Sequence, residues 1–230
     1  MKAIVWTATN FLVGMALAAS AQDSEQTRTI AGVKRIKARM GVEVFVKLGN
    51  DESLHVEARG LRENQIVIEQ KGDELTLGLK LEGVFEKSAR KYVKAYLTVR
   101  QLQAVEANSG ASVKGESVFD ATTFAVESKA GASVALELKA RDVTIDAGSG
   151  ATVALSGTAS NVSATAGAGA SINADKLIAE TVDANASAGA SIRINAQKEL
   201  FGKASMGGSV SNRGPGRVVS KRTSLGGSVN

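Results

Sequence analysis

The chain has 230 residues, of which 28 are Lys or Arg and 23 are Asp or Glu, so its formal net charge is +5. It contains no Cys and a single His, His55. These counts exclude disulfides, a lipid-modified Cys, and zinc sites or nucleophilic relays built from Cys and His, because each needs more such residues than the chain has.

Residues 1–21 are predicted to be a secretory signal peptide. Lys2 gives a short basic start, residues 3–18 are largely apolar, and Ala19-Ser20-Ala21 is a small-x-small cleavage site. Cleavage would release an exported protein with no transmembrane segment, located in the periplasm, at the outer membrane or outside the cell. Residues 22–29 are polar and are expected to fray.

Residues 30–100 show strand patterns that are longer and more charged than those that follow. Alternating apolar residues predict strands over residues 42–46, 54–58, 65–68, 75–79 and 92–99. Turns are predicted at residues 49–51 and 71–73, and a loop over residues 83–90. We expect these strands to cap the repeats after them, so that residues 30–230 form one domain.

Residues 101–230 repeat one short phrase: Gly, then Ala or Gly, then Ser or Thr, then Val or Ile. The phrase occurs seven times, beginning at Gly110, Gly131, Gly150, Gly169, Gly189, Gly207 and Gly226. The regular spacing of 18 to 21 residues indicates a repeat protein. We predict an all-β, single-domain β-solenoid (β-helix-like) of stacked two-strand rungs, with a repeat of about 19–20 residues, a tight turn at each Gly and a looser turn at the other end.

Stacking places each repeat position in a column along the rod. The hydroxyl residues of the phrase are Ser112, Ser133, Thr152, Ser171, Ser191, Ser209 and Ser228. We expect hydrogen bonds from rung to rung in this column, and an ice-binding surface is the alternative. The glycines are assigned to turn geometry and not to a bound phosphate, because no helix pattern follows any of them.

Charge is divided unevenly along the chain. Residues 101–192 contain five basic and ten acidic residues, whereas residues 193–230 contain seven basic residues and one acid. The seven basic residues are a candidate site for an anionic envelope or glycan surface: Arg193, Lys198, Lys203, Arg213, Arg217, Lys221 and Arg222. A solvated end of the rod is the alternative. Self-association through the C-terminal rung is also expected, because an open rung exposes unpaired strand edges. Nucleic acid is not expected as a partner.

Few residues offer catalytic chemistry, so we predict no catalytic, metal or cofactor site and no enzyme activity. Asp142, Asp146 and Asp183 are the acids that an enzyme on this fold would use. Asp146 and Asp183 are expected two rungs apart, roughly 10 Å, which is too far for a shared metal. Sugar stacking is not expected, because most aromatic residues of the mature chain are predicted in core or cap packing: Phe45, Phe85, Tyr92, Tyr96, Phe119, Phe124 and Phe201.

The strands over residues 42–99, followed by Leu102 and the Gly-Ala-Ser-Val repeats, resemble the bacterial head GIN domain family of auto-transporter adhesins. The resemblance covers residues 30–230. It implies a β-solenoid similar to pectin-lyase-like superhelices and a role in cell adhesion, with no established active site. The predicted function is an exported, non-enzymatic binding or adhesion protein of the bacterial cell envelope. The alternatives are a periplasmic scaffolding module and, less favoured, a polysaccharide-active enzyme.

Overall fold

The structure is a computed structural model that describes residues 24–80 and 91–230. The predicted signal peptide and the loop predicted over residues 83–90 lie outside these ranges. The described residues contain sixteen strands and a short 3₁₀ helix at Glu63–Gln65, which confirms the all-β prediction. Within the same ranges, no helix has the length and apolar character that a membrane span requires.

The N-terminal part consists of short strands. They are β1 (Ser24–Thr29), β2 (Arg35–Arg39), β3 (Glu43–Leu48), β4 (Ser53–Arg59), β5 (Ile66–Lys71), β6 (Glu74–Leu79), β7 (Tyr92–Val99) and β8 (Ala104–Asn108). The five strands predicted from alternation correspond to β3 to β7. Fraying does not hold for Ser24–Thr29, because β1 pairs antiparallel with β4 over six residues. Its polar side chains suit an exposed edge strand, which must not attract further strands.

The C-terminal part consists of long stacked strands. They are β9 (Ser112–Ser128), β10 (Ser133–Ala147), β11 (Thr152–Ala166), β12 (Ser171–Ala186), β13 (Ser191–Ser205), β14 (Ser209–Asn212), β15 (Arg217–Ser224) and β16 (Ser228–Val229). Each pairs in parallel with its neighbours, and the seven phrases stack in register. This is the predicted β-solenoid.

The looser turn predicted in each repeat is a corner inside one continuous strand. In β10 the inward residues before the corner are Val134, Leu136 and Leu138, and those after it are Val143, Ile145 and Ala147. The inward positions thus change from even to odd numbers between Ala140 and Val143. The strand bends there and keeps the same register with β11 on both sides of the corner. The corner is lined by a column of alanines, which are small enough for the bend: Ala121, Ala140, Ala159, Ala179 and Ala196.

Each corner divides its rung between two faces of the rod. The first face has the order β1-β4-β7-β3, then the first halves of β9 to β13, then β14 and β16. The second face has the order β5-β6-β2-β8, then the second halves of β9 to β13, then β15. The antiparallel pairs β4–β7, β1–β4 and β5–β6 lie at the N-terminal end, which agrees with the expected cap.

The tight turns use two residues with positive φ, not one. Each phrase glycine has φ between 70° and 76°, and the residue before it has φ between 46° and 52°. In the turn at Gly131, the Ala132 N–H donates to the Lys129 carbonyl at 3.2 Å. This is a type I′ turn, in which both central residues have positive φ. The Gly131 N–H also donates to the Ser149 carbonyl of the next turn at 3.0 Å, so hydrogen bonds link successive turns.

Sequence analysis missed an eighth turn of this kind. Met40 and Gly41 have φ of 57° and 72°, and the Gly41 N–H donates to the Ser109 carbonyl at 3.1 Å. The turn joins β2 to β3 and begins the stack. Val42 and Glu43 stand where the other copies have Ala or Gly and Ser or Thr, so the phrase is not recognisable. The only part of the phrase left to identify this turn from the sequence is Gly41, followed three residues later by Val44.

Replacing Ala130 with asparagine should stabilise the protein, by about 0.5–1 kcal/mol, because asparagine tolerates the left-handed conformation better than alanine. Thermal and urea unfolding followed by far-UV circular dichroism would measure the change. Ala154→Asn is the matched control, since Ala154 lies within β11, outside the set of residues with positive φ. Equal gains from both substitutions, or a loss at Ala130, would contradict the turn argument.

Candidate functional site

The seven basic residues predicted as a surface site do not all carry free charge. Lys198 Nζ lies 2.7 Å from Glu180 Oε2, and Arg217 Nη2 lies 3.6 Å from Glu199 Oε1. The other five have no ion-pair partner among the residues that the structure describes: Arg193, Lys203, Arg213, Lys221 and Arg222. The positive charge of this region is therefore largely uncompensated.

The five unpaired basic residues are divided between the two faces. Lys203 and Arg222 are register partners on β13 and β15, on the second face. Lys221 also lies on β15, whereas Arg193 pairs with Ser211 on the first face. Arg213 follows β14, and its backbone N–H donates to the Ile194 carbonyl at 2.8 Å. The basic residues thus surround the C-terminal rungs and do not form one flat patch.

The column that contains Lys203 and Arg222 changes charge along the rod. From the N-terminal side it reads Lys37, Glu106, Glu127, Asp146, Thr165, Asn185, Lys203 and Arg222. The acidic stretch is compensated locally, because Lys37 Nζ lies 2.7 Å from Glu106 Oε2 and Lys129 bridges the other two acids. At the basic end, the nearest acid by register is Asp183, which pairs with Phe201 two residues from Lys203 but forms no ion pair with it.

Lys129 is held by two carboxylates in neighbouring rungs. Its Nζ donates to Glu127 Oε1 at 2.6 Å and lies 3.4 Å from Asp146 Oδ2. The hydrogen bond to Glu127 and the charge of Asp146 raise the pKa of Lys129, although partial burial opposes them. Asp146 is therefore paired with a cation and is not a free catalytic acid.

Asp142 is the carboxylate whose pKa is clearly lowered. Asn161 Nδ2 donates to Asp142 Oδ1 at 2.8 Å, and Arg141 Nε donates to Asp142 Oδ2 at 2.8 Å. These two hydrogen bonds favour the charged carboxylate and lower its pKa, with the bond from Asn161 contributing most. A lowered pKa in the folded state stabilises the fold above the unfolded pKa, and this contribution is lost as the pH falls through the folded pKa.

We expect the Asp142 carboxyl to titrate below the range of an ordinary Asp side chain. Carboxyl-detected NMR titration of Asn161→Ala should show this pKa moving up, because the strongest stabilising bond is removed. Asn185→Ala is the matched control, since Asn185 lies two rungs away on β12 opposite Thr165, and only the Asn161→Ala variant should change the Asp142 titration. An unchanged Asp142 titration in the variant would contradict the assigned cause.

The acids considered for catalysis do not converge. Asp146 pairs with Thr165, whereas Asp183 pairs with Ser163, so the two carboxylates lie in different columns as well as two rungs apart. The separation by two rungs is the expected one, and the register adds a displacement of two residues along the strand. Within residues 24–80 and 91–230, no group of three His, Asp or Glu residues is placed to hold a metal ion.

The hydroxyl column exists in the predicted register. Successive members from Ser112 to Ser228 are direct partners in the parallel ladders. The Ser133 hydroxyl donates to the Ser112 hydroxyl oxygen at 3.0 Å, as expected for bonding between rungs. At the N-terminal end the column continues with Glu43 and Lys94, so the hydroxyl surface ends at the cap.

Three aromatic residues expected in core or cap packing instead lie on the outer surface of the first face. Phe45 and Tyr96 are register partners whose ring centroids are 5.3 Å apart at 16°, and His55 continues the row 6.1 Å from Tyr96. Tyr92 and Tyr96 are each 37% exposed, and Lys94 Nζ lies 5.4 Å from the Tyr92 ring centroid. We call Phe45, His55, Tyr92 and Tyr96 the aromatic surface.

The two aromatic residues of β9 are in the core, as predicted. Phe119 and Phe124 are fully or almost fully buried, with ring centroids 6.4 Å apart. His55 is a partly exposed surface residue. Its Nδ1 lies 3.1 Å from the Thr27 hydroxyl, and its Nε2 lies 3.6 Å from Glu57 Oε1.

Comparison with solved structures shows the same fold in other bacterial proteins. A putative adhesin from Bacteroides fragilis has a TM-score of 0.77 and 18% identity, covering 90% of this chain and 96% of its own. A putative adhesin from Parabacteroides merdae has a TM-score of 0.69 and 18% identity, with coverage of 90% and 95%. A protein from Parabacteroides distasonis named a putative lipid binding protein has a TM-score of 0.67 and 13% identity, with coverage of 90% and 96%.

Sequence comparison identifies the family. No functionally curated protein is significantly similar to the chain. A family model described as "Putative auto-transporter adhesin, head GIN domain" matches residues 33–216, which include the eight tight turns except the last. This match confirms the resemblance noted from the strand pattern and the glycine phrase. The chain therefore belongs to the head GIN domain family of putative auto-transporter adhesins.

Proposed function

We propose that this protein is exported and acts as a non-enzymatic, adhesion-type binding protein of the bacterial cell envelope. The observation that carries the proposal is the concentration of exposed recognition groups at the two ends of the rod. The aromatic surface lies at the N-terminal end, and unpaired cations surround the C-terminal rungs. The intervening rungs present the hydroxyl column and a charged surface, in which ten acids stand against five basic residues over residues 101–192.

The comparisons support this proposal at the level of the family. The family description and two of the structural neighbours name adhesins, and a third neighbour is named a lipid binding protein. All three names describe binding to a surface or an amphiphile and not catalysis. Export is supported by the predicted signal peptide at residues 1–21, which agrees with an auto-transporter-related family.

Binding of purified residues 22–230 to whole cells and to an array of envelope components and glycans tests the proposal. We expect retention on at least one of these surfaces, and weaker retention for the double variant Tyr92→Ala/Tyr96→Ala or for charge-neutralised variants of the C-terminal rungs. Phe201→Ala is the matched aromatic control, since Phe201 lies far along the second face. No retention on any cell or array component would reject adhesion-type binding.

Exposed apolar residues on the last strands favour the periplasmic scaffold as a second candidate. Val218 and Val219 on β15 are 42% and 43% exposed, and among the described strands only β13 pairs with β15. A second copy could add a strand at this edge. Concentration-dependent association in analytical ultracentrifugation that is lost in Val218→Ser/Val219→Ser, together with protection from protease on intact cells, would favour the scaffold over the adhesin.

An enzyme is the least supported alternative. Asp146 is engaged by Lys129 and is separated from Asp183, so no pair of acids flanks a common substrate position. A panel of polysaccharides incubated with the protein, with and without calcium, tests the alternative directly. Polysaccharide cleavage that is lost in Asp146→Ala and Asp183→Ala would reject the non-enzymatic proposal in favour of an enzyme.

A further inference from the structure

We propose that the turns of the last two rungs dock on an anionic phospholipid bilayer. The site consists of two exposed apolar side chains, Met206 and Leu225, and three cations, Arg193, Lys203 and Arg222. We call these five residues the C-terminal turn patch. The inference rests on the proposed function and deepens it by naming one surface that the protein would bind.

The apolar part of the patch occupies an unfavourable backbone position. Met206 and Leu225 have φ of 47° and 46°, which large side chains rarely adopt. The five turns from Gly110 to Gly189 carry Ser or Ala at the same position, and the first turn of the stack carries Met40, which is only partly exposed. Met206 is 55% exposed and Leu225 is 79% exposed. Burial of these side chains within the fold therefore does not offset the energy of the backbone strain. Exposed apolar groups of this kind indicate an interaction surface.

The charged part of the patch lies beside the same two turns. Lys203 and Arg222 are adjacent in register, each three residues before its turn residue. Arg193 lies on the first face, one rung earlier. None of the three has an ion-pair partner within the described ranges. The nearest acid to Lys203 by register is Asp183, on the adjacent rung and two residues along the strand, and the two form no ion pair.

The combination fits an anionic bilayer better than other partners. Apolar side chains flanked by Lys and Arg bind membrane interfaces by inserting among acyl chains while the cations contact anionic headgroups. A soluble acidic glycan would use the cations but would leave Leu225 and Met206 in water. A second copy that docked through the same patch would bring like charges together, which is unfavourable.

Flotation of residues 22–230 with vesicles tests the inference. We expect binding to vesicles of phosphatidylcholine and phosphatidylglycerol (3:1), weaker binding at high salt, and no binding to phosphatidylcholine alone. The triple variant R193Q/K203Q/R222Q should weaken partitioning by roughly 100-fold, since each cation near an anionic surface contributes about 1 kcal/mol. The double variant M206S/L225S should weaken it by roughly tenfold or more.

Matched controls separate this patch from general charge and general hydrophobicity. R39Q/K47Q/K114Q has the same net charge as the first triple variant but changes residues outside the last rungs. Ile178→Ser removes an apolar side chain that is 48% exposed on another part of the rod. Both controls should bind vesicles like the unaltered chain, and circular dichroism should show that every variant is folded.

Three results would overturn the inference: no binding to anionic vesicles, equal loss in the control triple, or unchanged binding of M206S/L225S. Self-association that is lost in M206S/L225S while vesicle binding is absent would assign the patch to a second copy instead. Retention on cells or glycans without vesicle binding would reject this inference and leave the proposed function standing. Vesicle binding without any retention on cells or array components would support this inference and reject the proposed function.

Discussion

Replacing Gly157 with alanine should lower the free energy of unfolding by roughly 3–5 kcal/mol, the sum of a backbone strain and a steric overlap. Gly157 has φ of 109°, and a Cβ atom placed on it would lie 1.9 Å from the carbonyl oxygen of Leu138 in the preceding rung. That oxygen belongs to the backbone of a paired strand, so it cannot move away without breaking the ladder. Gly157 stands in a column between Leu138 and Leu177, where no other rung has a glycine.

Gly131→Ala is the matched control for this prediction. Gly131 also has positive φ, 70°, but a Cβ atom there would have no heavy atom within 4 Å. Its cost is therefore conformational only, about 1 kcal/mol. Thermal and urea unfolding should be followed by far-UV circular dichroism, because the only Trp lies in the predicted signal peptide. Equal losses in the two variants would show that the contact with Leu138 is not decisive.

Replacing Phe119 with alanine should cost about 3–5 kcal/mol, because the lost transfer energy adds to the energy of the cavity left behind. Phe119 is completely buried on β9 and packs beside Phe124. Gly115 provides the space for its ring, since a Cβ atom on Gly115 would lie 2.6 Å from Phe119 Cε2. Gly115 has no side chain of its own that could fill the space left by the ring.

Phe45→Ala is the control that separates burial from residue type. Phe45 stacks on Tyr96 at the outer surface, and an aromatic pair of this kind contributes about 0.5–1.5 kcal/mol beyond burial. The loss should therefore be clearly smaller than at Phe119. A loss at Phe45 as large as that at Phe119 would contradict the assignment of these two residues to surface and core.

The fold could be predicted because the glycine phrase repeats at a nearly constant spacing. Turn chemistry then determined the register, and the hydroxyl column followed from it. The residue before each glycine could not be predicted to have positive φ, because Ser, Ala, Met and Leu all occur there. The corner was also hidden, because a continuous strand that reverses its inward positions retains alternation on both sides of the bend.

The surfaces were less predictable than the fold. Around Phe45 the sequence Val44-Phe45-Val46 is apolar at both parities, so alternation could not tell which side faces water. The basic region was evident from composition, but the ion pairs that its residues form with nearby acids were not. Whether Lys198 meets Glu180 depends on an irregularity in the register between β12 and β13, which local sequence patterns do not reveal.

Because the rungs stack almost uniformly, the number of rungs sets the length of the rod. β10 and β11 pair without any irregularity over their whole length, and their phrases are 19 residues apart. Gain or loss of one such unit would change the distance between the aromatic surface and the C-terminal turn patch by about 4.8 Å while leaving the residues of both surfaces unchanged. Duplication or deletion of a 19-residue segment would therefore change the length of the rod without altering the side chains exposed at either end.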